Sequence, residues 1–534
     1  MSSLSESPTA PSGPTIGSPS GSPEAAARSG GLSTYRQILS SSAWIGGSSV
    51  LNIAISIVRT KAMAVMLGPA GFGLMGMLTA VADLARSVAG MGLNSSGVRQ
   101  IADAAATEDA QRIARTATVL RRTALLLGVV GALLLIVFAR PLSALTFGDD
   151  SHVVAVALLS VAVFFRLIAD AEGALLQGLR QVASVAKVNV LSALLGTAAS
   201  ILLVYWLRED GVALALVAIA ATAAAVSWWY THQIRIERPS LTSAAVRQEA
   251  SALLKLGVAF MASGLLLMGA AYVVRLILVQ AQGLETAGLF QAAWTLGGLY
   301  VGIVLQSMGT DFYPRLVGVV KDHAECNRLV NEQAQVSLLL AGAGVLATIA
   351  LSPLLLTLFY SAQFGAAAET LRWICLGMAV RIVSFPIGYV IVARGNQRVY
   401  IATEVAWTVV NVGLSWLFIE WYGLKGAGIA FFASYVFHAA MIYPIVRRHT
   451  GFRWSGTNLR LTAVFALTIA IAFSAFYVLP QVWAVALGSA AAVLAGGGAW
   501  HMLKSLVASD RLPRGVRNAL AGRTGAPRTG SPTP

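Results

Sequence analysis

VNVLSALLGTAASILLVYWL, residues 188–207, contains no Asp, Glu, Lys or Arg. A helix needs about 20 residues to cross the hydrocarbon core of a bilayer. Residues 256–274, 286–310 and 426–446 are stretches of the same kind. Residues 461–503 are free of those four residue types throughout, with Pro480 between two apolar runs, which predicts two spans and a tight turn. The 534-residue chain is 57% hydrophobic and 11% charged, whereas soluble domains carry about 25% charged residues. A backbone facing lipid must satisfy its own hydrogen bonds, so these stretches read as helices. None shows the alternation over about ten residues that marks a barrel strand. The fold class is therefore an all-α polytopic membrane protein.

The hydropathy pattern predicts about fourteen spans, near 43–66, 72–93, 123–139, 152–178, 185–206, 211–231, 253–281, 287–309, 334–360, 369–393, 399–422, 426–446, 461–479 and 482–503. Of the 38 Lys and Arg residues, 26 then fall on the side of the N-terminus, 3 on the other side (Arg140, Arg208 and Lys425) and 9 inside spans, of which Lys187 and Lys255 sit at the N-terminal-side ends of theirs. The positive-inside rule places both termini in the cytoplasm. This sorting also accounts for the net charge of +15 without invoking nucleic acid. Residues 1–40 are expected to form a disordered cytoplasmic tail, being Ser-, Pro- and Gly-rich over 1–34 with no apolar signal-peptide core. Residues 506–534 form a second tail, basic and flexible.

The chain aligns with itself at a nearly constant shift. Arg59 pairs with Arg275, Arg166 with Arg381, Trp206 with Trp421, and Ala70-Gly71 with Ala287-Gly288. Residues 41–232 and 251–450 thus read as two six-helix bundles, joined by a cytoplasmic linker over 233–250. Six crossings give both copies the same orientation, the arrangement of parallel-repeat transporters. Residues 451–505 supply two further helices outside the repeat.

Charges inside spans cost at least about 2.5–3.5 kcal/mol at a helix centre and mark function by default. Lys61, Glu369, Arg372 and Glu404 lie near predicted helix ends, where snorkelling accounts for them. Asp83 with Arg86, and Arg166 with Asp170, have spacings that allow intrahelical pairs. Arg59, Arg166, Arg275 and Arg381 are different because the repeat relates them in pairs. Equivalent positions in facing bundles converge on a shared cavity, and guanidinium groups there suit a phosphate-bearing anion. These four are the expected substrate-binding residues. Asp83, Asp170 and Glu172 are candidates for proton or sodium coupling.

Cys326 and Cys375 lie at no metal-binding spacing, and neither a P-loop, a nucleophile elbow nor a zincin helix occurs. The sequence therefore predicts no enzyme, metal or cofactor. A membrane glycosyltransferase would need a substantial loop domain, and no loop is long enough. Two other readings are a multidrug or metabolite antiporter, which would favour an acidic cavity, and a non-transporting membrane scaffold.

Four stretches resemble a known family. They are Leu67-Gly68-Pro69-Ala70-Gly71-Phe72-Gly73, Ala287-Gly288-Leu289-Phe290-Gln291, Tyr313-Pro314-Arg315-Leu316 and Gly388-Tyr389-Val390-Ile391-Val392-Ala393. They are similar to the Wzx-type O-antigen and enterobacterial-antigen flippases of the multidrug/oligosaccharidyl-lipid/polysaccharide superfamily, over roughly residues 40–450. The resemblance implies two six-helix bundles, alternating access and a cationic central cavity. It implies transport of undecaprenyl-pyrophosphate-linked oligosaccharide across the bacterial inner membrane for lipopolysaccharide and other polysaccharide biosynthesis. Membrane lipid and the polysaccharide polymerase machinery are the partners it implies. The two extra helices depart from the family's twelve-span pattern.

Overall fold

The computed structural model describes residues 23–107, 109–234 and 242–508. Every regular element among them is helical. In chain order these are α1 (Pro23–Gly90), α2 (Leu93–Ala105), α3 (Ala110–Val137), α4 (Ala139–Phe147), α5 (Val153–Gly178), α6 (Val182–Leu207), α7 (Gly211–His232) and α8 (Ser243–Ser307). Then follow α9 (Tyr313–Val319), α10 (His323–Ala350), α11 (Ser352–Phe359), α12 (Ala368–Ala393), α13 (Gln397–Tyr422), α14 (Leu424–Thr450), α15 (Gly456–Val478) and α16 (Gln481–Ala508).

Eleven segments are long and apolar enough to cross a membrane. Three of them, Gly46–Gly90, Val182–His232 and Gly264–Ser307, run to 45, 51 and 44 residues, twice the length of one span. Each is interrupted midway: at Gly68, at the 3-10 turn Arg208–Asp210, and at Gly283. Counting each as two, the eleven segments make the fourteen crossings read from the sequence. The helix of the first span reaches back to Pro23, into the stretch expected to be a tail, while residues 1–22 and 509–534 lie outside the described residues. The expected linker at 233–250 is shorter, because α8 begins at Ser243; residues 235–241 lie outside the described residues.

The duplication is written in the backbone. Gly68 has φ 66° and Gly283 φ 84°; Arg180 has φ 56° and Gly395 φ 71°; Arg208 has φ 54° and Gly423 φ 59°. The same separation in sequence relates the members of all three pairs. Left-handed backbone is uncommon for a non-glycine residue, so its recurrence at one shift marks two copies of one chain path. The helix starts repeat as well. Asp109 caps α3 by accepting from the amides of Gln111 and Arg112, and Asp322 caps α10 by accepting from those of Ala324 and Glu325.

Two glycine crossings join the bundles. At one end, a Cβ on Gly73 would overlap the Leu284 carbonyl and a Cβ on Gly288 would overlap that of Pro69. At the other end, Gly92 and Gly257 sit against each other's backbone in the same way. Only residues without a side chain allow that approach. Phe72 also packs edge-on against Tyr360 and Phe364, with ring centroids 5.4 and 5.7 Å away. Near the second crossing, Glu249 accepts hydrogen bonds from Arg115 Nε at 2.6 Å and Thr116 Oγ1 at 2.8 Å. The extra helices α15 and α16 pack on the second bundle. Tyr477 of α15 donates to Glu369 at 2.7 Å, and the Arg372 guanidinium lies 3.8 Å from the centroid of Phe476. Those two intramembrane charges therefore fasten α15 to α12.

Candidate functional site

Between the bundles lies a cavity of about 460 Å³. The two arms of α1 fold back on each other around it: Arg59 and Met63 come from one arm, Thr79, Asp83 and Arg86 from the other. Helices α5, α6 and α7 close the first-bundle side with Arg166, Ser200 and Leu216. The second bundle contributes Arg275, Gln291 and Thr295, all from α8. Among the described residues, the walls thus carry four arginines and one carboxylate, Asp83.

The arginines differ in how they are held. Arg59 and Arg166 are half-buried and have no hydrogen-bond or ion-pair partner among the described residues. Arg275 donates from Nε to Gln291 Oε1 at 2.9 Å and from Nη1 to the Ala271 carbonyl at 3.1 Å. Both acceptors are neutral, and Arg275 forms no ion pair among the described residues. Arg86 donates from Nη1 to Asp170 Oδ2 at 2.8 Å and lies 3.8 Å from Asp83. Three guanidinium groups therefore face the cavity without a carboxylate of their own, and a charged group held in that state strongly favours an anion.

Three of the four arginines expected to share a cavity do so: Arg59, Arg166 and Arg275. Arg381 is not among the lining residues. Its guanidinium carbon lies 5.4 Å from the Phe385 ring centroid and 5.5 Å from that of Tyr435. Tyr435 occupies the position equivalent to Ala220, a wall of the cavity. The bulky ring fills the space and engages the cation over its face, so repeat-equivalence of position does not become equivalence of environment.

The acidic candidates separate too. Asp83 lines the cavity. Asp170 bonds to Arg86 across helices instead of pairing with Arg166 within α5, which leaves Arg166 unpartnered among the described residues. Glu172, only 4% exposed, accepts two bonds from Arg121, at 2.8 and 2.7 Å. Such a fork-to-fork pair is a rigid structural tie between α3 and α5. Sequence reasoning missed Arg86 as a wall of the cavity, because a carboxylate three residues away already accounted for it. It also missed Gln291 as the arm that positions Arg275. The signal for Gln291 was its place in the Ala287–Gln291 stretch.

Two repeated six-helix bundles around an arginine-bearing cavity define this chain as having a transporter fold. The family model for the polysaccharide biosynthesis protein family matches residues 62–369, more than half of the chain, and the chain belongs to that family. It is 22% identical over 410 residues to the lipid III flippase of Escherichia coli (strain K12), covering 75% of this chain and 96% of that protein. Among solved structures, it matches an inward-facing multidrug resistance MATE family transporter of the MOP superfamily with TM-score 0.61 and 17% identity, over 75% of this chain and 94% of that one. It matches the lipid II flippase MurJ, in an inward closed conformation, with TM-score 0.62 and 12% identity, over 87% and 99%. At these identities the structural likenesses establish the fold.

Proposed function

We propose that this protein is a flippase that carries an undecaprenyl-pyrophosphate-linked oligosaccharide across the bacterial inner membrane, as one step in surface polysaccharide synthesis. The observation that carries this reading is the trio of carboxylate-free guanidiniums, Arg59, Arg166 and Arg275, on one cavity between the bundles. A family tied to polysaccharide synthesis and a relative named for flipping lipid III support a lipid-linked substrate. In this reading an O-antigen-type repeat unit is the cargo and both termini are cytoplasmic.

Flipping requires no covalent step. The barrier is the transfer of a pyrophosphate and a glycan through hydrocarbon, which offers neither hydrogen bonds nor counter-ions. The arginines replace the water around the pyrophosphate, and the polyprenyl tail stays in lipid. The glycine crossings at the two ends are the seals that alternate. Polymerisation of the delivered repeat unit then falls to a separate enzyme. The test is depletion of the protein in a cell that makes the polymer. A lipid-linked oligosaccharide should accumulate, inaccessible to glycan-binding probes from outside, while surface polysaccharide disappears. Normal surface polysaccharide with no accumulated lipid-linked precursor overturns the reading.

A further inference from the structure

Lys61 is an intramembrane charge that is not among the residues lining the cavity. It lies on the first arm of α1, and its ammonium donates to the main-chain carbonyl of Thr357 at 2.9 Å. Thr357 belongs to α11, in the second bundle, so the bond crosses between bundles. A counterpart runs the other way. Gln280, on the first arm of α8, donates from Nε2 to the main-chain carbonyl of Leu145 at 2.8 Å, and Leu145 belongs to α4, in the first bundle.

The helices α4 and α11 are one element in two copies. Each follows the third crossing of its bundle after a single residue: Phe138 with φ −91° and ψ 6°, or Leu351 with φ −93° and ψ 11°. Each carries a proline near its start, Pro141 or Pro353. Each ends on the same kind of bond. The Gly148 N–H donates to the Ala144 carbonyl at 3.0 Å, and the Tyr360 N–H donates to the Leu356 carbonyl at 2.9 Å. One separation in sequence relates Ala144 to Leu356, Leu145 to Thr357 and Gly148 to Tyr360. The last carbonyls of a helix have no partner within it. In both copies, the carbonyl next to the capped one receives a side chain from the other bundle. A third bond reinforces one side: Thr146 Oγ1 of α4 and the Tyr272 hydroxyl of α8 are 2.7 Å apart.

We infer that α4 and α11 are paired straps that hold the outer end of the bundles closed, fastened by Gln280 with Tyr272 and by Lys61. This rests on the alternating movement proposed above. All three bonds lie towards the end that carries the breaks at Gly68 and Gly283, which is the outer end in that reading. Arg115 and Thr116 with Glu249 tie the opposite end. Opening the cavity outward parts α1 from α11 and α4 from α8, and so breaks the straps. Water entering there takes over the released donors and carbonyls, so each bond has only a modest net strength and can re-form every cycle. The straps thus set the balance between the two ends, and removing a fastener shifts that population.

The test measures two distances by pulsed electron paramagnetic resonance on the purified full-length protein in nanodiscs. Spin labels at Asp210 and Glu420 report on the outer end, and labels at Gln111 and Arg398 on the inner end. Tyr272→Phe combined with Gln280→Leu releases α4, and Lys61→Met releases α11. The first should raise the ratio of long to short outer distances by about twofold or more, the lower range for neutral hydrogen bonds, and the second by about tenfold or more, because its donor is charged. The inner distance should shorten in step. Lys61→Arg keeps a charged donor and should stay near the wild type. The α4 pair and Lys61→Arg keep the test decisive if Lys61→Met does not fold. Unchanged outer distances on releasing α4, or a longer outer distance with no change at the inner end, overturns the straps. No lipid-linked oligosaccharide enters this measurement, so that failure leaves the flippase reading intact, which the depletion experiment decides.

Discussion

Arg166 and Arg381 stand at equivalent points of the two repeats, yet Arg166 is a wall of the central cavity while Arg381 is held against the rings of Phe385 and Tyr435. Their substitutions should therefore differ in kind. Arg166→Ala, Arg59→Ala and Arg275→Ala should each lower export of the polymer by about tenfold to a hundredfold, the range of one lost charge-assisted hydrogen bond, at normal protein abundance. Arg→Lys at the same sites should recover part of this, because the charge stays and the fork is lost. Arg381→Ala should lower abundance in the membrane instead. Quantifying protein and surface polysaccharide in parallel separates the two effects, and wild-type export by all three cavity variants would remove the anion-binding role.

The Arg86–Asp170 bond at 2.8 Å ties the second arm of α1 to α5. Removing Arg86 strands Asp170, and neutralising Asp170 leaves Arg86 only its longer contact with Asp83, so Arg86→Ala and Asp170→Asn should each destabilise the protein by about 1–3 kcal/mol. The double variant should lose less than the sum of the two, as coupled residues do. Thermal unfolding of the four proteins in detergent measures this cycle.

Glu172 and Asp83 should separate structure from coupling. Glu172→Ala leaves Arg121 without its acceptor and should cost about 3 kcal/mol, the lower end for a buried pair because the Arg121 side chain is 37% exposed. Folded protein should fall accordingly. Asp83, the one carboxylate on the cavity wall among the described residues, is the residue whose neutralisation should alter ion dependence. Asp83→Asn should flatten the pH profile of transport in proteoliposomes at unchanged protein level. An unaltered profile would exclude it as a coupling group.

The glycine crossing at Gly73 and Gly288 has no space for a side chain. Gly288→Val should hold that end of the bundles apart. A cysteine placed at Thr79, on the cavity wall, should then react faster with a membrane-impermeant thiol reagent, while polymer export falls. No change in reactivity would mean that this crossing is not a seal. The native cysteines, Cys326 and Cys375, are buried and give little background.

Orientation is testable in intact cells. Cysteines replacing Asp149 and Lys425 should label from outside, and one replacing Arg247 should label only after permeabilisation. Labelling of the Arg247 position in intact cells would invert the topology.

Several features of this protein were legible in its sequence because they depend on composition and period alone. A charge-free run as long as 188–207 has no stable state but a helix in lipid or a buried core. The repeat survives wherever the chain path requires it, as at Gly68 and Gly283. Intramembrane arginines announce themselves by their cost. Which arginines meet was decided by tertiary packing. Arg166 faces open space because its potential partner, Asp170, is taken by Arg86 from a different helix. Arg381 does not, because Tyr435 stands where the first repeat has Ala220. The same holds for the cavity itself: rings such as Trp294 and Phe431 fill in the second bundle the room that Thr79 and Leu216 leave in the first. Sequence spacing places residues along a helix, but side-chain volumes from several helices, meeting in three dimensions, determine where space remains and which charges border it.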